Sequence, residues 1–160
     1  MREEILSAIE KNSRVDSEEL AIRLGMTEEA VVSEMNKMEE EGVICGYHTM
    51  IDWEKTSMEK VTALIEVRVT PQRGQGFDVL AERIYKYPEV KSVYLISGGY
   101  DLMVILEGKS LKEVSNFVSD KLSTMDSVLS TATHFILKKY KDHGTIMSKK
   151  NEDERMMITP

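Results

Sequence analysis

The sequence predicts an α+β fold in two parts: a winged-type helix-turn-helix, then a ferredoxin-like β-α-β-β-α-β domain. Three observations carry that prediction. The first 42 residues show only helical spacing of their apolar side chains. Within them, the break at Leu24-Gly25-Met26 is too short for a parallel return, so two helices must cross steeply. From Val61 the apolar period falls to two, and strand-like and helix-like stretches then follow in the split β-α-β order.

The elements follow in order. Ile5, Leu6 and Ile9 share one face of a first helix. Asp16 is placed to cap a second, with Glu19 three residues on to complete a capping box and Leu20, Ala21 and Leu24 pointing inward. Gly25 supplies a left-handed stop. Thr27 caps the third helix, whose first turn is acidic, where the helix dipole favours negative charge. Val31, Met35 and Met38 form its apolar stripe, and Gly42 ends it. Residues 43–60 lose the helical period and read as a short strand followed by a linker.

In the second part, Val61, Ala63, Ile65, Val67 and Val69 alternate with Thr62, Leu64, Glu66 and Arg68, and Pro71 stops the strand. Phe77, Leu80, Ala81, Ile84 and Tyr85 have the spacing of a buried helix face, which Pro88 closes. VKSVYLIS and YDLMVILEG are two strands joined at Gly98-Gly99. Ser110 and Glu113 form a capping box for a helix that buries Val114, Phe117, Val118, Lys121 and Leu122. SVLSTATHFILKKY is the last strand. Both helices should cover one face of the sheet. The uncovered face keeps Leu64, Tyr94, Ile96, Met103 and Ile105, too much apolar surface for a monomer to leave wet. Dimerisation, sheet against sheet, is expected.

Composition excludes several classes. An apolar share of 41% and a charged share of 31% describe a globular chain, neither disordered nor fibrous. The longest apolar run, Leu102 to Leu106, is far too short to span a bilayer. The start, MREEILSAIEKNSRV, has no continuous hydrophobic region, so no signal peptide is expected, and the single Cys45 asks for no oxidising compartment. A cytoplasmic protein without a membrane partner is expected. The three histidines are too scattered for a metal site. Cys45 reads as a buried small apolar residue and no catalytic constellation is present, so neither metal nor cofactor is expected.

Charge is unevenly placed. Residues 1–46 hold five basic and twelve acidic residues, which is the whole of the net −7. Glu34 lies in the middle of the third helix on what reads as its exposed side. Gly98-Gly99 fits a two-residue hairpin with φ > 0 at both positions, so a turn alone explains the glycines. It does not explain Tyr100 and Asp101, because a carboxylate at a strand start near an apolar surface should be solvated or paired.

A helix-turn-helix, a strand-like linker and a β-α-β-β-α-β domain bearing a Gly-x-Tyr-Asp turn resembles the Lrp/AsnC (feast/famine) transcriptional regulators. The resemblance runs from about residue 2 to about residue 143 and rests on LAIRLGMTEEAV, MEEEGVICGYHTMID and SGGYDLMVILEG. DSVLSTATHFILKKYK is similar to the family's closing strand. The resemblance implies that the first domain binds double-stranded DNA. It implies that the second senses an amino acid or related metabolite and builds homodimers, then tetramers or octamers. The domains are then residues 1–46 (helix-turn-helix), 47–60 (strand-like linker), 61–143 (ligand sensing and oligomerisation) and 144–160 (tail). Met156, Met157 and Ile158 in that tail could dock on a neighbour.

Candidate DNA-binding residues are Arg14, Arg23, Thr27, Ser33, Asn36 and Lys37. Asn36 suits adenine in the major groove and Ser33 either base, while the cations suit phosphate. One departure from the family stands out: where its third helix usually carries arginines, this chain has Ser33 and Glu34, and only Lys37 is basic. Weak, salt-sensitive DNA binding that depends on several linked domains is expected. For the effector, Asp101 offers a carboxylate for an ammonium group, and Gly98 and Gly99 offer amides for a carboxylate. Tyr100 would form a wall, with Ser130, Thr131 and Thr133 contributing hydroxyls from a neighbouring subunit. The alternative is an oligomeric metabolite sensor whose acidic helix-turn-helix no longer binds DNA. Sirohaem decarboxylases resemble the same architecture, but Arg68, Arg73, Arg83 and His134 are a thin set for tetrapyrrole chemistry, so no enzymatic activity is expected.

Overall fold

The structure, a computed structural model, describes residues 1–70 and 76–147. It divides into two compact units, the first spanning Met1–Ile51 and the second beginning at Asp52. Pro71, Arg73, Met156, Met157 and Ile158 lie outside the described residues.

The first unit is three helices, α1 (Arg2–Lys11), α2 (Ser17–Leu24) and α3 (Glu28–Glu40). Their apolar stripes converge: Ile5, Leu20, Val31 and Met38 are fully buried, with Ala8, Ile9, Ala21 and Ile44 packed around them. Each such burial stabilises by roughly 1.5–3 kcal/mol, so Leu20 and Met38 are the residues whose loss would open this small core. The two helices of the motif are each capped. Asp16 accepts from the Glu18 amide at 3.0 Å, one position earlier than the expected capping-box geometry, and Thr27 accepts from the Ala30 amide at 3.3 Å. Gly25, at φ 65°, turns the chain between them, and the Met26 amide closes the turn on Ala21 O at 3.0 Å.

Residues 43–51 do not form the expected strand. Gly42, at φ 71°, folds the chain back so that the amides of Val43 and Ile44 both bond Met38 O, at 2.8 and 3.0 Å. These amides satisfy the end of α3 and have none left for a ladder. In consequence Cys45 is exposed, its thiol donating to Gly42 O, and the expectation of a buried cysteine fails.

The second unit starts with one helical turn at Trp53–Lys55 and then builds β1 (Val61–Val69), α4 (Phe77–Tyr85), β2 (Val90–Leu95), β3 (Leu102–Gly108), α5 (Leu111–Phe117) and β4 (Val128–Phe135). A turn of π-helix at Val118–Leu122 extends α5. The sheet is antiparallel in the order β2-β3-β1-β4. Its covered face buries Ala63, Ile65, Val67, Leu102, Val104 and Leu106 against Leu80 and Ile84 of α4 and Val114, Phe117 and Leu122 of the second helical stretch. Alternation along β1 and β3 is what allows this, because residues two apart share a face. Ser110 accepts from the Glu113 amide, and the Glu113 carboxylate reaches back to the Lys109 amide, one residue ahead of the cap.

Some expected packing differs. Tyr85 is exposed because α4 ends there, and Tyr87 takes the inward place, meeting Phe117 edge to face at 5.2 Å. Leu95 lies opposite Leu102 but is exposed at the free end of an edge strand. The last strand stops at Phe135.

On the uncovered face, Leu64 lies opposite Ile105, and Tyr94 opposite Met103, so four of the five proposed interface residues share one surface. Ile96 lies one residue beyond β2. The β1–β4 side of this face is polar: His134 Nε2 lies 3.3 Å from Glu66 Oε1. Beyond β4 the chain forms a two-stranded hairpin, β5 (Lys141–Asp142) and β6 (Thr145–Ile146), which carries the fold past residue 143 into the stretch assigned as a tail. His143 at φ 42° and Gly144 at φ 79° supply the two positive φ values that a two-residue hairpin turn requires. No helix among the described residues is long and apolar enough to cross a membrane.

Candidate functional site

The exposed surface of α3 is one candidate. Ser33, Asn36 and Lys37 stand three and four residues apart and line a shallow hollow with Glu28, Glu29, Val32 and Glu40. Helical periodicity places them on one face because positions i, i+3 and i+4 stack. Thr27 sits at the start of the same helix, although its hydroxyl is already committed to the cap. Arg23 is exposed on α2, and Arg14 is exposed in the turn before it, where its amide bonds Asn12 Oδ1 at 3.0 Å.

Glu34 does not belong to that surface. Its side chain is only 12% exposed and is gripped by Arg2, which reaches across from the first turn of α1. The Arg2 fork also takes both oxygens of Glu41, at 2.6 and 3.0 Å. The Glu41 bond first, then Glu34, raises the guanidinium pKa further, and Arg2 in turn holds the Glu41 carboxyl below the ordinary carboxylate range. Two of the acidic charges that weighed against a polyanion are therefore paired within the protein. Sequence spacing gave no hint of Arg2, which is 32 residues from Glu34. A further acid, Glu39, accepts from the Tyr47 hydroxyl at 2.7 Å, and burial, then this bond, pushes the Tyr47 pKa up.

The second candidate is the connection between β2 and β3. It is longer than a two-residue hairpin: the Ile96 amide bonds Asp101 O at 2.8 Å, which leaves Ser97, Gly98, Gly99 and Tyr100 as the loop. Neither glycine has a positive φ, so the conformational reason expected for them is absent. A Cβ on Gly99 would meet nothing within 4 Å, and one on Gly98 would only touch Ile96 at 3.7 Å. What the glycines leave is uncovered backbone.

Asp101 is paired within the protein, one of the two outcomes that the sequence left open. Its Oδ2 accepts the Val69 amide at 2.7 Å while its own amide donates to Val67 O at 3.0 Å. The carboxylate thus replaces the backbone partner that β1 lacks where β3 begins. Oδ1 has no hydrogen-bond partner among the described residues. Tyr100 is half-buried beside it in sequence.

The three hydroxyls of β4 are not gathered together. Ser130 lies opposite Arg68 on the open face, whereas Thr131 and Thr133 lie opposite Val67 and Ile65 on the helix-covered side. Thr131 Oγ1 is 3.3 Å from Ser123 Oγ. Within one subunit, β1 separates all of them from Asp101, by about two strand spacings or roughly 10 Å. Among the described residues no group of three or more His, Cys, Asp or Glu side chains converges as a metal site would require.

Comparison with known proteins covers both units. Residues 1–44 match a family model described as winged helix-turn-helix DNA-binding, and residues 62–146 match one described as Lrp/AsnC ligand binding domain. An uncharacterized HTH-type transcriptional regulator of Bacillus subtilis strain 168, YugG, is 52% identical over 158 residues, covering 98% of this chain and 95% of that protein. The feast or famine regulatory protein from M. tuberculosis complexed with L-methionine has the same fold, with a TM-score of 0.72 at 22% identity over 91% of this chain and 96% of that one. A transcriptional regulator in complex with L-Met from Neisseria meningitidis gives 0.69 at 23% identity over 87% and 89% of the two chains.

Proposed function

The chain belongs to the Lrp/AsnC family of transcriptional regulators, and from that premise we propose how its two units divide the work. It carries a helix-turn-helix DNA-binding domain and a ligand-binding domain. In our reading, α3 enters the major groove with Ser33 and Asn36 toward base edges, while Lys37, Arg14 and Arg23 meet phosphate. One cation on the reading helix makes each domain a weak, salt-sensitive binder, and linking several in an oligomer restores affinity. The apolar half of the open sheet face, Leu64, Tyr94, Met103 and Ile105, would pair with a second copy. A regulator of this kind works where the DNA is, in the cytoplasm.

The effector is an amino acid or a close analogue, as in the two L-methionine complexes of similar fold. The observation that supports this most is the division of labour on Asp101. One oxygen anchors the carboxylate to the Val69 amide, which fixes its direction, and the other has no hydrogen-bond partner among the described residues, while the glycine pair two and three residues earlier carries no side chain over its backbone. A fixed carboxylate at one end of a loop with bare glycine amides would suit an ammonium and a carboxylate on one carbon. A loop this small cannot enclose a ligand, so a neighbouring subunit would complete the pocket. Selecting bound sequences from random duplex DNA at low salt, with and without pooled amino acids, tests the whole reading. Enrichment of a common motif that shifts with amino acids is expected. Recovery of unenriched DNA under both conditions would instead favour a sensor without DNA binding.

A further inference from the structure

The reading surface of α3 carries one cation, and a neighbour competes for it. Lys37 Nζ lies 3.9 Å from Glu34 Oε2, one turn earlier, at the outer limit of an ion pair. Lys37 is 59% exposed, and the other oxygen of Glu34 is held by Arg2. Arg2 does not share the surface of Ser33 and Asn36. Its two partners, Glu34 and Glu41, are seven residues apart and lie on the flank of α3, between Lys37 and the buried Val31 and Met38. A carboxylate as covered as Glu34 cannot stay unpaired without a large desolvation penalty. Deprived of Arg2, it must draw in Lys37, its other ion-pair partner among the described residues.

The geometry points to Arg2 as a positioning residue for DNA binding: it occupies Glu34 so that Lys37 stays available to a phosphate. The assignment deepens the function proposed above and rests on α3 being the DNA reader. Arg2 need not touch the DNA. A guanidinium suits the task because its fork spans two carboxylates at once, which a lysine at the same place would not do.

The test is a double-mutant cycle read as the salt dependence of binding to a labelled duplex of mixed sequence, using the full chain. In the wild-type background K37Q should flatten the slope of log affinity against log salt by about one per engaged domain. In the R2Q background K37Q should change little, since Lys37 is already paired with Glu34, and R2Q/E34Q should return the slope to its wild-type value. A merely structural loss at Arg2 would leave the K37Q effect unchanged, and that result would overturn the assignment. No K37Q effect even in the wild type would sink the α3 reading itself. Should R2Q fail to fold by circular dichroism, E34Q removes the rival and leaves Arg2 on Glu41. K37Q must then cost at least as much as in the wild type, and a smaller cost would overturn the assignment.

Discussion

Replacing Asp101 by asparagine and by alanine separates the two tasks of its carboxylate. The bond from the Val69 amide is short, 2.7 Å, partly buried, and ends on a charged acceptor. Hydrogen bonds of that kind contribute roughly 1.5–3 kcal/mol, and a covered amide left without a partner costs about as much. Asp101→Ala should therefore lower the stability of the second unit by about 2–3 kcal/mol, from both the lost bond and the orphaned amide. Asp101→Asn keeps an oxygen that can accept the same amide, so its loss should be about 1 kcal/mol. Thermal unfolding resolves the two, since 1 kcal/mol moves the Tm of a domain this size by roughly 4–8 °C. Ligand affinity should follow a different order. Both variants lack the charge facing the ammonium group, so calorimetric titration should show both weakened by about tenfold or more. Equal melting of wild type and Asp101→Ala would refute the anchoring role. Undiminished amino-acid binding in Asp101→Asn would refute the effector role while leaving the anchor intact.

Other expectations follow from particular contacts. Glu34→Arg, attractive on charge grounds alone, puts a cation against Arg2 in a covered position and should lower the Tm of the first unit by roughly 5 °C; an unchanged melt would mean that the Arg2 grip is incidental. The Glu89 carboxyl is held below its ordinary value of 4.5, chiefly by its own backbone amide and then by Lys121. Its contribution is thus complete above about pH 4.5 and lost as pH falls further. Lys121→Met should shrink that acid-side loss by under about 1 kcal/mol, measured by urea unfolding between pH 5 and pH 3. Met103→Asp places a charge in the centre of the open sheet face opposite Tyr94, and light scattering should then report monomer or aggregate. An unchanged mass would exclude that face as the interface.

The helices and strands were legible because periodicity and caps agree. Gly25 and Thr27 do what local chemistry predicts, and the β1 and β3 alternation assigns both sheet faces correctly. What escaped is long-range or depends on where an element stops. No spacing rule connects Arg2 with Glu34, so the third helix looked more hostile to DNA than it is. The Gly98-Gly99 pair suggested the tightest hairpin, but the Asp101 amide is used by β1, and the loop closes instead at Ile96 and Asp101. Tyr85 fits the helical period, yet α4 ends with it and Tyr87 fills the place. The last hairpin escaped because His143-Gly144 lacks the asparagine or aspartate that usually signals such a turn. The proposed effector residues were visible as residue types, but their division was not: one Asp101 oxygen is bound to β1 and the other has no partner among the described residues, while Thr131 is already paired with Ser123.

The most direct test of an effector-controlled DNA reader is the affinity for a selected duplex, measured by fluorescence anisotropy at fixed low salt while L-amino acids are titrated one at a time. At least one amino acid should shift the apparent Kd by about fivefold or more, a coupling of roughly 1 kcal/mol. In Asp101→Asn the same shift should need about tenfold more amino acid or greater, with duplex binding in the absence of effector unchanged. Duplex affinity that stays constant across all amino acids, or an effect that Asp101→Asn shows at the same amino-acid concentration as wild type, would contradict the account.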